Sequence, residues 1–127
     1  MGTRAVTVVK DSKGKKIIEM ASQFDGYPEG LGKKLREFIN EGKVVNGFTR
    51  EDKNSLTFNG VECFAAQLIC RFKQGVGGFY LFSPTRNFKD KSKYADLYGA
   101  EYYYEIDSDL NLKCWDTYEN KEISLED

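Results

Sequence analysis

The chain has 127 residues, of which 19 are basic and 20 acidic, so its formal net charge is −1. Such a near-neutral chain lacks the basic excess of a nonspecific nucleic-acid binder, and we predict no binding of that kind. Its longest apolar runs are far shorter than a membrane span, and no secretory signal is recognisable. We therefore expect no membrane partner and a cytoplasmic location.

The length and the absence of histidine limit the fold and the chemistry. We predict a single domain, 1–127, that buries roughly two thirds of its unfolded surface. Without histidine, Ser-His-Asp and Cys-His catalysis and His-ligated zinc are excluded within one chain. The three cysteines lack CxxC spacing and indicate a reducing compartment rather than a disulfide scaffold. We predict neither a metal nor a cofactor.

The N-terminal third predicts a β-hairpin followed by a helix. Residues 3–9 are rich in β-branched side chains, and residues 16–24 return as a second strand after a polar turn. Pro28 suits the first turn of a helix, an apolar stripe follows, and Gly42 is a suitable C-cap. This pattern predicts the first helix over 28–41.

The rest of the chain predicts a second helix and three further strands. The helix runs over 60–73 and carries more small and apolar residues than the first, so we expect it to be more buried. The strands are predicted over 79–82, 101–106 and 110–117, with a short edge strand over 121–125. Residues 85–99 are predicted to form a long, charged and mobile loop.

This order of elements, ββααβββ, predicts the fold class. Strands grouped on both sides of a helical pair are typical of an α+β fold. We expect an antiparallel sheet of about five strands with the two helices packed on one face.

Several segments together carry a resemblance to a known group of proteins. They are Gly2-Thr3-Arg4, Gln23-Phe24-Asp25-Gly26-Tyr27-Pro28, Val45-Asn46-Gly47-Phe48, Cys63-Phe64-Ala65-Ala66-Gln67 and Gly75-Val76-Gly77-Gly78-Phe79-Tyr80-Leu81. With them the chain resembles a family of small uncharacterised proteins encoded mainly by bacteriophages and prophages, with an N-terminal G-T-R and a D-G-Y-P motif. The resemblance covers most of the chain up to about residue 82 and the Tyr-rich closing hairpin, and it implies a phage-type accessory protein without an established reaction. If a phage encodes the protein, the expected cytoplasmic location is that of the host cell.

The turn before the first helix is the main candidate for a ligand site. If the hairpin is in register, Arg4 lies close to Asp25, and the pair either braces the corner as an ion pair or forms part of a polar pocket. In the pocket, Arg4 would bind phosphate or carboxylate, and the amides around Gly30 and Gly32 would supply helix N-terminal donors. The candidate ligand-binding residues are Arg4, Asp25, Tyr27, Gly30, Gly32 and Gln67.

A glutamine in the position of Gln67 more often bonds to a neighbouring backbone than to a ligand, although it also suits the floor of a pocket.

The aromatic residues suggest a second kind of site. A sheet covered by helices on one face would expose aromatic side chains on the other, as a stacking platform or an interface. The candidate interface residues are Tyr102, Tyr104 and Trp115, and the candidate partners are a host protein or a second copy of the chain.

The sequence leaves three functions open. The favoured one is a non-enzymatic binding protein of phage type that interferes with a host defence system. It would sequester a small anionic signal such as a nucleotide, or bind a host protein. The alternatives are a small histidine-free hydrolase or phosphodiesterase that uses Asp25 as base and Arg4 as electrostatic stabiliser, and a purely structural interaction module. No catalytic residue is assigned under the favoured function.

Overall fold

The computed structural model of the protein describes residues 2–45, 57–75 and 77–125. The strands within these ranges are β1 (Ala5–Lys10), β2 (Lys16–Ser22), β3 (Lys43–Val45), β4 (Thr57–Asn59), β5 (Phe79–Phe82), β6 (Tyr102–Ile106), β7 (Leu112–Asp116) and β8 (Lys121–Ile123). The helices are α1 (Lys33–Glu41), which follows a π-helical turn at Pro28–Gly32, α2 (Gly60–Phe72) and α3 (Ser92–Tyr98).

Six strands form the central sheet in the order β5-β2-β1-β6-β7-β8. The N-terminal hairpin pairs β1 with β2, and β5 and β7 pair antiparallel with β2 and β6. At the centre, β1 and β6 run parallel, with Ala5 opposite Tyr102 and Val9 opposite Ile106. A separate short pair joins β3 and β4 in parallel.

The two faces of the sheet are covered by different helices. Successive residues of a strand point to opposite faces, so β1 divides its side chains between two cores. Ala5 and Val9 pack in the core that includes residues of α1 and α2, together with Tyr104 and Ile106 of β6. Val6 and Val8 pack in a second core with Tyr94 of α3, Ala100 and Tyr103. We refer to these as the α1–α2 face and the α3 face.

The predicted α+β class is confirmed, with six strands in the main sheet instead of about five. The first helical region ends at Glu41 and the second helix begins at Gly60, as predicted. Two expectations are wrong. The sheet contains one parallel pair, and residues 85–99 are not one long loop, because α3 forms there and buries Tyr94 against the sheet.

Candidate functional site

Gly2, Thr3 and Arg4 precede β1, and the first two each contact a different residue of the turn after β2. A Cβ atom on Gly2 would lie 2.4 Å from the Phe24 ring, so only glycine lets this ring close over the backbone. The Thr3 carbonyl accepts a hydrogen bond from the Gly26 amide at 2.9 Å. The G-T-R motif therefore joins the start of β1 to the turn after β2, and Arg4 follows directly on this fixed backbone.

The Arg4 side chain lies beside Gly99 and not beside Asp25. Gly99 has a left-handed φ of 67°, and a Cβ atom there would lie 3.3 Å from Arg4 Nη1. Among the described residues, Arg4 makes no ion pair, and the Asp25 carboxylate accepts a hydrogen bond from the Tyr27 hydroxyl at 3.4 Å. The hairpin register is as predicted, but Arg4 and Asp25 do not form the predicted ion pair.

The corner from Asp25 to Gly32 is braced by its own backbone. Asp25 has a φ of 55°, and its carbonyl accepts from the Leu31 amide at 2.8 Å. The Tyr27 carbonyl accepts from the amides of Gly30 and Gly32 at 3.0 and 3.5 Å. A Cβ atom on Gly30 would lie 2.5 Å from the Asp25 carbonyl oxygen. The amides expected to hold an anion are therefore already used inside the turn.

The remaining predicted ligand residues lie apart from Arg4. Gly32 lines a separate cavity of about 540 Å³ between the start of the first helical region and the C-terminal strand. Gln67 donates from Nε2 to the Thr57 carbonyl at 2.8 Å and to Cys63 Sγ at 3.3 Å. It thus connects α2 to β4, which is the backbone-bonding role expected of a structural glutamine.

The three candidate interface residues do not lie together on one open face of the sheet. Tyr104 is fully buried on the α1–α2 face, and its hydroxyl donates to the Gly26 carbonyl at 2.7 Å. Trp115 is half-buried on the α3 face, where it packs beside Tyr103. Tyr102 is also half-buried. Tyr102 and Tyr104 pack in the core under α1 and α2, whereas Trp115 packs in the core under α3, so the three side chains form no open platform.

Two adjacent cavities meet at Arg4. One has a volume of about 390 Å³ and the other about 500 Å³, and both are lined by Arg4, Gln23 and Gly99. We call them together the Arg4 groove, with a small lobe and a large lobe. Their volumes fall in the range of small-molecule sites, roughly 300–1,000 Å³.

The exposed aromatic side chains are concentrated around this groove. Seven large hydrophobic side chains are exposed in the described part of the chain, and five of them line the two lobes. Phe24 and Tyr118 line the small lobe, where they are 60% and 67% exposed. Tyr80, Phe82 and Leu97 line the large lobe. Such clustering around one cation is typical of a binding surface.

Gln23 adds a second donor group next to Arg4. Its side-chain Oε1 atom accepts a hydrogen bond from the Gly78 backbone amide at 3.2 Å. The Gln23 backbone amide donates to the Gly78 carbonyl at 2.8 Å. No partner of the side-chain Nε2 group is found among residues 2–45, 57–75 and 77–125. Glu101 supplies a carboxylate to the small lobe only. The shared centre of the groove thus offers donors suited to an anion.

A buried polar cluster holds the wall of the large lobe. The Glu19 carboxylate is fully buried in β2 and accepts from Lys16 Nζ at 2.9 Å and from the Thr85 hydroxyl at 2.9 Å. The Tyr98 hydroxyl also donates to Glu19, and the Tyr98 ring packs on Phe82 with centroids 4.8 Å apart. Since Tyr98 and Phe82 both line the large lobe, Glu19 fixes this wall from beneath.

The charges of this cluster are stabilised by hydrogen bonds. Burial acts to raise the pKa of Glu19, but the hydrogen bonds from Tyr98, Lys16 and Thr85 outweigh it and hold this pKa below its usual value. Burial and the neighbouring carboxylate raise the pKa of Tyr98, so its hydroxyl stays protonated as a donor. Lys16 also donates to the Tyr94 hydroxyl at 2.7 Å, which ties α3 to β2.

Another cavity in the described part of the chain lies away from Arg4 and is a weaker candidate. It measures about 630 Å³ and lies between the ends of α1 and α2, beside Phe79. Its arginine, Arg71, already pairs with Glu41 at 2.7 Å and stacks on the Phe38 ring. A cation that is already paired attracts an anion less strongly than Arg4, which has no ion-pair partner in the described ranges.

Comparisons with models of protein families, with curated proteins and with solved structures find no match to this chain. No helix in the described ranges is long and apolar enough to cross a membrane. The described residues also bring together no group of three or more Cys, Asp or Glu side chains placed to hold a metal ion.

Sequence reasoning selected Arg4 but missed its surroundings. Phe24 and Gln23 lie in the Gln23-Phe24-Asp25-Gly26-Tyr27-Pro28 segment, yet their neighbours in the groove come from distant segments. The aromatic strand 79–82 was a signal that could have indicated Tyr80 and Phe82. The sequence also contains a signal for the buried cluster around Glu19, because Lys16 and Glu19 are charged residues beside the apolar residues of β2.

Proposed function

We propose that the chain is a non-enzymatic binding protein of the phage type that its sequence resembles, and that it captures a small anionic ligand in the Arg4 groove. One observation carries this proposal. Arg4 is an exposed guanidinium without an ion-pair partner among the described residues, and it lies where two aromatic-lined lobes meet. Guanidinium groups bind phosphate and carboxylate well because their planar donors match these anions.

The rigidity of the groove supports binding. Arg4 follows a backbone fixed by Gly26, and Gly99 leaves room for its side chain. The wall formed by Tyr98 is held by the buried Glu19. A site whose parts are held in place before the ligand arrives loses less conformational entropy on binding.

The first test is ligand extraction. The protein is purified from bacteria and heat-denatured, and the released small molecules are identified by mass spectrometry. We expect an intact, phosphate- or carboxylate-bearing compound at about one per chain for the wild type and its loss in Arg4→Ala. Arg86→Ala removes an equal charge from an exposed arginine outside both lobes and should retain the compound.

The same experiment separates this proposal from its alternatives. A hydrolase would release a cleaved product, and Asp25→Asn would cause the intact substrate to accumulate. Equal ligand content in the wild type and Arg4→Ala would refute capture by Arg4. If a host protein and no small molecule co-purifies with the wild type, the chain is an interaction protein instead.

The biological role follows from the resemblance to phage proteins. Capture of a host signalling molecule would block a defence system that depends on it. Expression of the wild type in a bacterium with such a system should restore phage plating, and Arg4→Ala should not. Equal restoration of phage plating by the wild type and Arg4→Ala would show that interference with the defence system does not depend on the Arg4 groove.

A further inference from the structure

We infer that the ligand of the Arg4 groove consists of two nucleosides joined by a single phosphodiester. This inference rests on the proposed function and names its ligand class. The groove has two lobes that share Arg4, Gln23 and Gly99, and each lobe carries its own exposed aromatic side chains. A ligand that fills it therefore has two planar groups on either side of an anionic centre.

The small lobe suits one base. Phe24 and Tyr118 are its exposed aromatic side chains, and Gly2 keeps the Phe24 ring against the backbone. The Tyr118 amide donates to Asp116 at 2.9 Å, which orders the turn after β7. Aromatic side chains stack on bases of any identity, since every base presents a π face. Glu101 in the same lobe can accept hydrogen bonds from a ribose hydroxyl or a base amino group.

The large lobe suits a second base. Tyr80 and Phe82 are each 43% exposed and lie on the same face of β5, because residues two apart on a strand share a face. Leu97, which is 52% exposed, lines the opposite side from α3. A flat aromatic ring between these walls would cover apolar surface that is otherwise open to water.

The charge of the groove limits the linking group. The shared centre has one guanidinium, and the nearby Glu101 carboxylate opposes further negative charge. One phosphodiester carries a single negative charge and matches this arrangement, whereas a triphosphate would carry several charges without partners. The groove therefore favours two bases and one phosphate over one base and many phosphates.

Isothermal titration with three probes tests this inference. The probes are the dinucleoside monophosphate ApA, the mononucleotide AMP and ATP. AMP carries more charge than ApA, so charge alone would favour AMP. We expect ApA to bind about tenfold more tightly than AMP, because it stacks a second base, and ATP to bind least tightly.

Variants of single lobes provide the second arm. Tyr118→Ala and Tyr80→Ala should each lower the affinity for ApA about tenfold, to near that for AMP, and should change AMP binding at most about twofold. Tyr27→Ala removes an exposed tyrosine that lines neither lobe and should leave ApA binding unchanged.

Several outcomes would overturn the inference. Tighter binding of AMP or ATP than of ApA would show that charge selects the ligand, although capture by Arg4 would stand. If only one of the variants Tyr118→Ala and Tyr80→Ala binds ApA more weakly than the wild type, the groove holds a single base. If none of the probes binds, the two-nucleoside ligand is refuted, and the proposed function is then decided separately by whether Arg4→Ala loses the compound extracted from cells.

Discussion

At the scale of single residues, two buried threonines have opposite roles. The Thr7 hydroxyl on β1 is buried and is the one buried side-chain polar atom in the described ranges without a hydrogen-bond partner. The Thr117 hydroxyl is also buried, but it donates to the Ala100 carbonyl at 2.5 Å. An unpaired buried hydroxyl costs free energy, whereas a paired one contributes to stability.

We therefore predict that the same substitution shifts stability in opposite directions. Thr7→Val should raise the free energy of unfolding by about 1 kcal/mol, because it removes an unsatisfied group at nearly constant volume. Thr117→Val should lower it by about 1–2 kcal/mol, because it leaves a carbonyl unpaired. Urea unfolding of both variants measures this, and a loss of stability in Thr7→Val would contradict the assignment.

Loss of the buried Glu19 carboxylate should destabilise the fold strongly. Its removal leaves the buried Lys16 ammonium without a counter-ion, so Glu19→Gln should lower the free energy of unfolding by about 3 kcal/mol. The matched control is Glu41→Gln, which breaks an ion pair with Arg71 whose side chains are 46% exposed and should cost at most about 1 kcal/mol. Equal effects in chemical denaturation would show that Glu19 and Lys16 are not buried together.

The acid sensitivity of the protein follows from the same carboxylate. The pKa of Glu19 is lowered in the folded state, so the unfolded state binds more protons in acid. The stability from Glu19 is therefore complete above its unfolded pKa of about 4.3 and is lost as the pH falls through its folded pKa. Denaturation curves below pH 4.3 should show a smaller loss in Glu19→Gln than in the wild type, and identical slopes would contradict this.

At the scale of elements, the corner before α1 depends on glycine for space. A Cβ atom on Gly30 would lie 2.5 Å from the Asp25 carbonyl oxygen, a backbone atom that cannot move without disturbing the turn. We expect Gly30→Ala to lower the free energy of unfolding by about 2 kcal/mol. Gly75→Ala, where nothing lies within 4 Å of the added atom, should change it by less than about 0.5 kcal/mol in the same thermal-melt assay. Equal melting temperatures would indicate that the turn is open.

The stability of α3 comes more from the buried cluster around Glu19 than from hydrogen bonds within the helix. Its seven residues are too few to be stable alone, and it is attached through hydrogen bonds of Tyr94 and Tyr98 to Lys16 and Glu19. Hydrogen exchange should show that Glu19→Gln increases exchange in α3 well before α2. An equal increase of exchange in both helices would mean that α3 depends on the cluster no more than the rest of the fold does.

Most elements could be predicted from the sequence because their periodicity is local. The apolar stripe of α1, the small residues of α2 and the alternation in β1 each determine one face. The α3 helix could not be predicted, since within it only Tyr94 is buried and its remaining residues resemble a solvated loop. The parallel pairing of β1 with β6 is a contact between distant segments that local patterns do not specify.

At the scale of the whole molecule, the candidate site forms where distant parts of the chain meet. Arg4 could be selected from the sequence as a cation near the turn. Its surroundings could not, because Tyr80, Tyr118 and Gly99 come from β5, the turn after β7 and the end of α3. The register of the hairpin brings the backbone of Arg4 close to Asp25, but the Arg4 side chain lies beside Gly99 instead.

Anion binding at Arg4, and not at the corner after Asp25, can be tested residue by residue. The most direct measurement is a two-dimensional NMR titration of the ¹⁵N-labelled protein with AMP at millimolar concentration. We predict shifts of the Arg4 Nε–H signal and of the backbone of Gln23 and Gly99, with little change at Gly30 and Gly32, and the loss of all these shifts in Arg4→Ala. Shifts centred on the amides of Gly30 and Gly32, or equal shifts in the wild type and Arg4→Ala, would show that the anion does not bind at Arg4.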